Sequence, residues 1–194
     1  MLLSAHVPLG KLLLGASEKV EEMSVSALQR YAHKQLHEAS NISTPYGTLV
    51  KERHVTGTSG DCKFSYICPF ALLFQLSLTN VVFAACLLQC LQAAAGRVCL
   101  YIDQVVPGNA LQPGPHRSFE ALYWSIIELP SWLRERVGAI GWFTLAYVPS
   151  AELEECGVSP GVLMAEVCCI CWDPSPDGHS FATTGILLRV NGTA

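Results

Sequence analysis

Charge is what this chain has least of. Only 14% of its 194 residues are Asp, Glu, Lys or Arg, against about 25% in an ordinary soluble chain. The twelve basic residues are scattered, and the formal net charge is −4. A strong sequence-independent grip on a nucleic-acid backbone needs clustered Lys and Arg, so composition speaks against one. The glycine-bearing run Thr56-Gly57-Thr58-Ser59-Gly60 lacks the Gly-Lys-Ser/Thr ending of a phosphate-binding loop, which removes that nucleotide site. The apolar start MLLSAHVPLGKLLLGA has no basic region ahead of it and is interrupted by Pro8 and Gly10. It reads as a loosely docked beginning rather than a signal peptide.

Apolar residues and cysteine are what the chain has in plenty. Hydrophobic residues make up 51% of it, and mean hydropathy is +0.34. Such a chain buries much of itself, docks on something large, or touches a membrane. The nine cysteines are odd in number, unevenly spaced and mostly inside apolar runs. That pattern points to buried reduced thiols in an intracellular protein rather than a disulfide framework. The triplets Asn41-Ile42-Ser43 and Asn191-Gly192-Thr193 carry no weight without secretion.

The length suits one domain, or one domain with a helical extension. Residues 1–60 read as an N-terminal helix followed by a linker or hairpin, and residues 61–194 as apolar helices leading into a mixed α/β domain. Residues 17–39 carry a stripe at helical spacing from Val20 to Tyr31, with Ser17 as cap. His33 and His37 lie one turn apart on that helix, but a metal needs further ligands. Thr48 to Thr56 has a rough strand pattern. Phe64 to Ala95 has no charged residue, so a hydropathy window would flag it for a membrane. Pro69 suits the first turn of a helix over about 69–78, and Thr79 or Asn80 suits the cap of a second over 80–95. Two short helices with polar edges fit a protein core better than one span of roughly 20 residues.

Val98 to Val106 predicts a strand, and Pro107-Gly108-Asn109 a turn. Phe119 to Leu129 and Ala139 to Val148 predict two more, giving a three-stranded antiparallel meander. Ser131 to Arg136 reads as a turn or short helical piece docked by Trp132. Ser150 opens a segment that is helical from Ser159 to Trp172, with Pro160 at the first helical position. Thr183 to Val190 is the expected fourth strand. The fold class is therefore α/β of the α+β kind, with N-terminal helices, a meander, a helix and a fourth strand.

Strand, strand, strand, helix, strand resembles the opening of the ribonuclease H-like fold. That resemblance implies an acid near the centre of the first strand, holding Mg²⁺ or Mn²⁺. Asp103 fills this place and is the one candidate for both catalysis and metal binding. On a central strand it would be costly to bury unpaired, and a divalent ion would keep it ionised. The runs Tyr46-Gly47, Pro69-Phe70-Ala71-Leu72-Leu73, Tyr101 to Asn109, Tyr123-Trp124-Ser125 and Gly141-Trp142-Phe143 also resemble an uncharacterised, transposon-derived-looking family repeated in dinoflagellate genomes. The family carries Asp-Glu where this chain has Asp103-Gln104. Glu128, Glu166, Asp173 and Asp177 remain as carboxylates, none at the position such a nuclease needs. The resemblance thus implies a partial, inactive transposase-type core that uses a metal only if completed, with nucleic acid as partner by resemblance alone. Two alternatives stand beside it: a non-catalytic interaction module whose apolar surface is covered by a protein partner or by self-association, and a membrane-associated protein using residues 64–95.

The remaining constellations read as packing. Cys168, Cys169 and Cys171 include one C-x-x-C spacing with His179 downstream, half of what a structural zinc site requires. A Cys–His pair would need that histidine as base. Glu128 reads as an exposed strand-end acid, and His116 with Arg117 as loop residues. Trp124, Trp132, Trp142 and Trp172 read as core and docking residues, since no basic groove accompanies them.

Overall fold

The computed structural model describes residues 41–93, 96–106, 118–134, 141–174 and 178–188, preceded by Lys34, His37 and Glu38. Outside these lie the N-terminal start, most of the 17–39 helix including His33, the Pro107-Gly108-Asn109 turn, His116, Arg117, Asp177 and the second glycosylation-type triplet. A two-stranded ribbon of β1 (Ser43–Thr44) and β2 (Gly47–Thr48) precedes the main sheet. The main sheet has five strands, all antiparallel: β3 (Val50–Thr56), β4 (Asp61–Ile67), β5 (Val98–Val105), β6 (Phe119–Ile126) and β7 (Trp142–Pro149). Their order across the sheet is β3-β4-β7-β6-β5. The class is α+β, and the meander β5-β6-β7 is the one its sequence predicts.

Strand β4 shows why this stretch is extended. Cys62, Phe64 and Tyr66 are buried while Asp61, Lys63 and Ser65 are exposed, the alternation of a strand with one covered face. Its hairpin with β3 spans residue 60, so the described residues on both sides of that point share one sheet.

The helices form a second layer on one face of the sheet. They are α1 (Pro69–Thr79), α2 (Val81–Ala93), α3 (Ser131–Arg134), α4 (Ser150–Cys156) and α5 (Pro160–Trp172). Buried residues from all five join Phe64, Leu122, Trp124 and Phe143 in one core. Asn80 separates α1 from α2 by serving both. Its backbone N–H reaches the Leu76 carbonyl at 2.9 Å, and its side-chain oxygen accepts from Phe83 N at 2.9 Å. Ser159 caps α5 through Val162 N at 3.3 Å, with Pro160 opening the first turn. Helix α1 buries eight of its eleven residues. Among the described residues no single helix is long and apolar enough to cross a membrane.

The run from Gly57 to Gly60 is a structural latch. Thr58 N and Ser59 N donate to the carbonyls of Gly157 and Cys156, at 3.2 and 3.0 Å, where α4 ends. Gly157 sits at φ +68, and a Cβ on Gly57 would lie 2.1 Å from the Cys156 oxygen. Both sites require glycine, one for its left-handed backbone and one for the close approach.

Three expectations are corrected. Strand β5 is an edge strand, because β3 and β4 fill the far side of β7 and nothing described pairs beyond β5. Thr183 and Thr184 form a turn, and residues 185–188 follow without regular structure. Gly185 there has φ +65, and Ile186 and Leu188 pack on the core instead of extending the sheet. Residues 189 and 190 of that expected strand lie outside the described residues. Trp132 is 52% exposed; Leu133 beside it is the buried anchor of α3.

Candidate functional site: the open face around Asp103

Strand pairing fixes which side chains share the uncovered face. Asp103 is opposite Ala121, Tyr101 opposite Tyr123, and Val105 opposite Phe119. Across β6, Ala121 faces Tyr147, Tyr123 faces Thr144, and Ser125 faces Trp142. Thr144 and Tyr147 are three apart and in a regular strand would point to opposite faces. The register shift opposite Leu122 and Tyr123 leaves Leu145 as an extra residue turned into the core, and this returns Tyr147 to the open side.

The result is a sheet of aromatic rings. Tyr101 and Tyr123 lie nearly parallel, with centroids 6.4 Å apart. Trp142 meets Tyr101 edge-on at 6.3 Å, Tyr147 meets Tyr123 at 6.3 Å, and Phe119 meets Tyr147 at 5.2 Å. Tyr101, Trp142 and Tyr147 keep 50%, 38% and 52% of their surface exposed. The hydroxyls of Tyr147 and Thr144 are 3.3 Å apart. Burial pushes the Tyr123 phenol up to about 12, helped by its hydrogen bond with Tyr147 and by repulsion from Tyr147, Asp103 and Tyr101 in their ionised forms. Tyr123 therefore stays a protonated donor.

Asp103 is exposed at the rim of this face. Gln104 lies on the opposite face, where its side-chain amide donates to Ser150 Oγ at 3.4 Å and it stands across from buried Glu120. Adjacent strand residues point to opposite sides. An Asp-Glu pair at 103 and 104 would thus straddle the sheet rather than grip one ion from this strand alone.

The other candidates are dispersed. Glu128 is not the free strand-end acid its sequence suggests. It accepts from Arg97 N and Nε, both at 2.8 Å, and its side chain is only 8% exposed. Burial would raise its pKa, but the bonds from Arg97 outweigh this and hold it below the ordinary value. Glu166 pairs with Arg53 across α5 and β3. Burial alone would lower the guanidinium pKa; the bond and charge of Glu166 raise it. Among the described residues no three His, Cys, Asp or Glu side chains group as metal ligands.

The expectation of buried thiols holds for Cys62, Cys68 and Cys171, whereas Cys168 is exposed and the rest are partly buried. Burial pushes Cys171 up to about 12, and burial with Cys90 pushes Cys86 up to about 11, so both stay neutral. His179 stacks edge-on against Tyr46 at 4.8 Å. It lines a small cleft with Lys51, Arg53, Cys68 and Asp173 that has room for about one water molecule.

The open aromatic face was missed in the sequence, although its signal was present. Tyr101, Asp103 and Val105 alternate on one side of β5, and Phe119, Ala121 and Tyr123 on one side of β6. No family model, curated protein or solved structure matches this chain.

Proposed function

We propose that this chain is a non-catalytic protein-interaction module that binds through the open face of β5, β6 and β7. The observation that carries the reading is the contiguous cluster of Tyr101, Phe119, Tyr123, Trp142 and Tyr147 on a face no described element covers. Contiguous exposed apolar surface of this kind marks interaction sites in folded proteins, and Tyr and Trp are the residues interfaces favour. The dispersed carboxylates support the non-catalytic half of the reading. A photo-crosslinking side chain placed at Tyr147 should capture a discrete protein in the native cell, and one at Val162 on the outer side of α5 should not. Equal capture from both positions, or none from Tyr147, would overturn the proposal.

A second reading keeps the transposon-derived origin, with a partial and inactive ribonuclease H-like core. It is supported by the meander itself, which has Asp103 on its first strand with no described strand paired on that strand's outer side. The all-antiparallel pairing and the position of β4 beside β7 depart from the mixed sheet of that fold. Membrane association through residues 64–95 is less well supported, since α1 spends most of its apolar side chains on the core.

A further inference from the structure

The two edges of the sheet are defended differently. Strand β3 presents four consecutive ionisable residues, Lys51, Glu52, Arg53 and His54, at one edge. Charged side chains of this kind are the usual device for keeping an edge strand from pairing with another chain. Strand β5 forms the other edge, with a single charged residue and no described element paired beyond it. It has no Lys, Pro or Gly, and it pairs regularly with β6 over all eight residues without a bulge. Its backbone N–H and C=O groups on the outer side form a template for one more strand.

The side chains along that edge specify what kind of strand. Asp103 is the one formal charge on β5, is exposed, and has no ion-pair partner among the described residues. Tyr101, two residues away on the same face, offers its ring beside Trp142. Ring faces carry negative potential, so the carboxylate and the rings attract the same sign of charge. The nearest strand-end cation, Arg97, is already engaged by Glu128. A second copy of β5 would bring another Asp103 and no cation, so self-pairing leaves this charge unanswered.

We propose that the β5 edge takes an extended peptide from a partner protein as a sixth strand, with an arginine of that peptide lying against the Tyr101 ring and paired with Asp103. Arginine suits the position because its planar guanidinium stacks on a ring and still presents donors to a carboxylate. This inference rests on the interaction-module reading and names the chemistry of its partner. The test pans a random heptapeptide display library on the full chain and, in parallel, on Asp103→Asn and Tyr101→Ala, with thermal melts verifying that both variants fold like the parent. Recovered peptides should carry Arg among alternating β-formers. They should bind the parent roughly five- to tenfold more tightly than either variant, and progressively less as salt rises.

Uncharged or acidic peptides that lose binding to Tyr147→Ala would overturn the arginine assignment and leave the interaction face standing. Peptides whose binding ignores Asp103, Tyr101 and Tyr147 alike would overturn both. Recovery of no binder, or a sedimenting dimer abolished by Val105→Pro, would overturn the partner-peptide proposal.

Discussion

The two faces of the β5-β6-β7 meander are made from the same three strands and are both rich in aromatic residues, yet only one of them is dry. On the covered face Leu122, Trp124 and Phe143 are exposed by 1% or less. On the other, Tyr101, Trp142 and Tyr147 keep between 38% and 52% of their surface in water. The difference lies in the polar tips. The wet face uses tyrosines and a tryptophan, whose rings pack on one another while their polar ends stay solvated or bond to neighbours. The dry face uses mainly Leu, Ile, Val and Phe, with Glu120 and Gln104 toward one end; on it Trp124 is fully buried and its Nε1 has no partner among the described residues.

The comparison can be broken most forcefully at Trp124. Trp124→Ala should cost about 3–5 kcal/mol, the range for emptying a core aromatic site, measured by urea unfolding. Trp124→Phe should cost much less, because it also removes a buried donor left unpaired, a burden of about 1–3 kcal/mol. Equal losses in the two variants would show that Nε1 has a partner.

Next comes Tyr123, where the wet face is most sheltered. Its folded-state pKa is raised from 10.0 to about 12. The folded state therefore holds this proton more tightly than the unfolded chain does. The resulting stability is fully present below pH 10, and is lost as pH climbs through about 12. Tyr123→Phe should flatten that part of the stability profile. An unchanged alkaline profile would show that the phenol is not sheltered.

The smallest effect belongs to Asp103. Asp103→Asn should alter stability by no more than about 0.5 kcal/mol, as expected of an exposed residue in no ion pair. It should also leave a plasmid-nicking assay with Mg²⁺ or Mn²⁺ unchanged. Metal-dependent cleavage that this variant loses would revive the catalytic reading.

Much of the fold was legible in the residues. The boundaries of α1, α2 and α5 follow from Pro69, Asn80, Ser159 and Pro160, and the meander from three β-branched and aromatic runs. The fourth strand was misread because Thr-Thr-Gly-Ile-Leu-Leu has strand composition. Its apolar residues are equally suited to closing the core from a loop, and only the packing of Ile186 and Leu188 distinguishes the two. Of the candidate site, Asp103 was legible as a residue and mistaken in its setting. A central strand and an edge strand read alike when the strands that flank them come from distant sequence. The aromatic face escaped because it is assembled across three strands and depends on one extra residue, Leu145, in β7.

By itself the sequence determined the locally encoded parts: where helices start and which stretches extend. Caps, proline and side-chain alternation act over a few residues, so no distant partner is needed to set them. Tertiary structure alone decided that β3 and β4 would close the β7 side of the sheet and leave β5 at its edge among the described residues. That outcome depends on backbone pairing between segments far apart in the chain, which no short run of residues encodes. It is also why Asp103 stands exposed beside aromatic rings rather than inside the sheet.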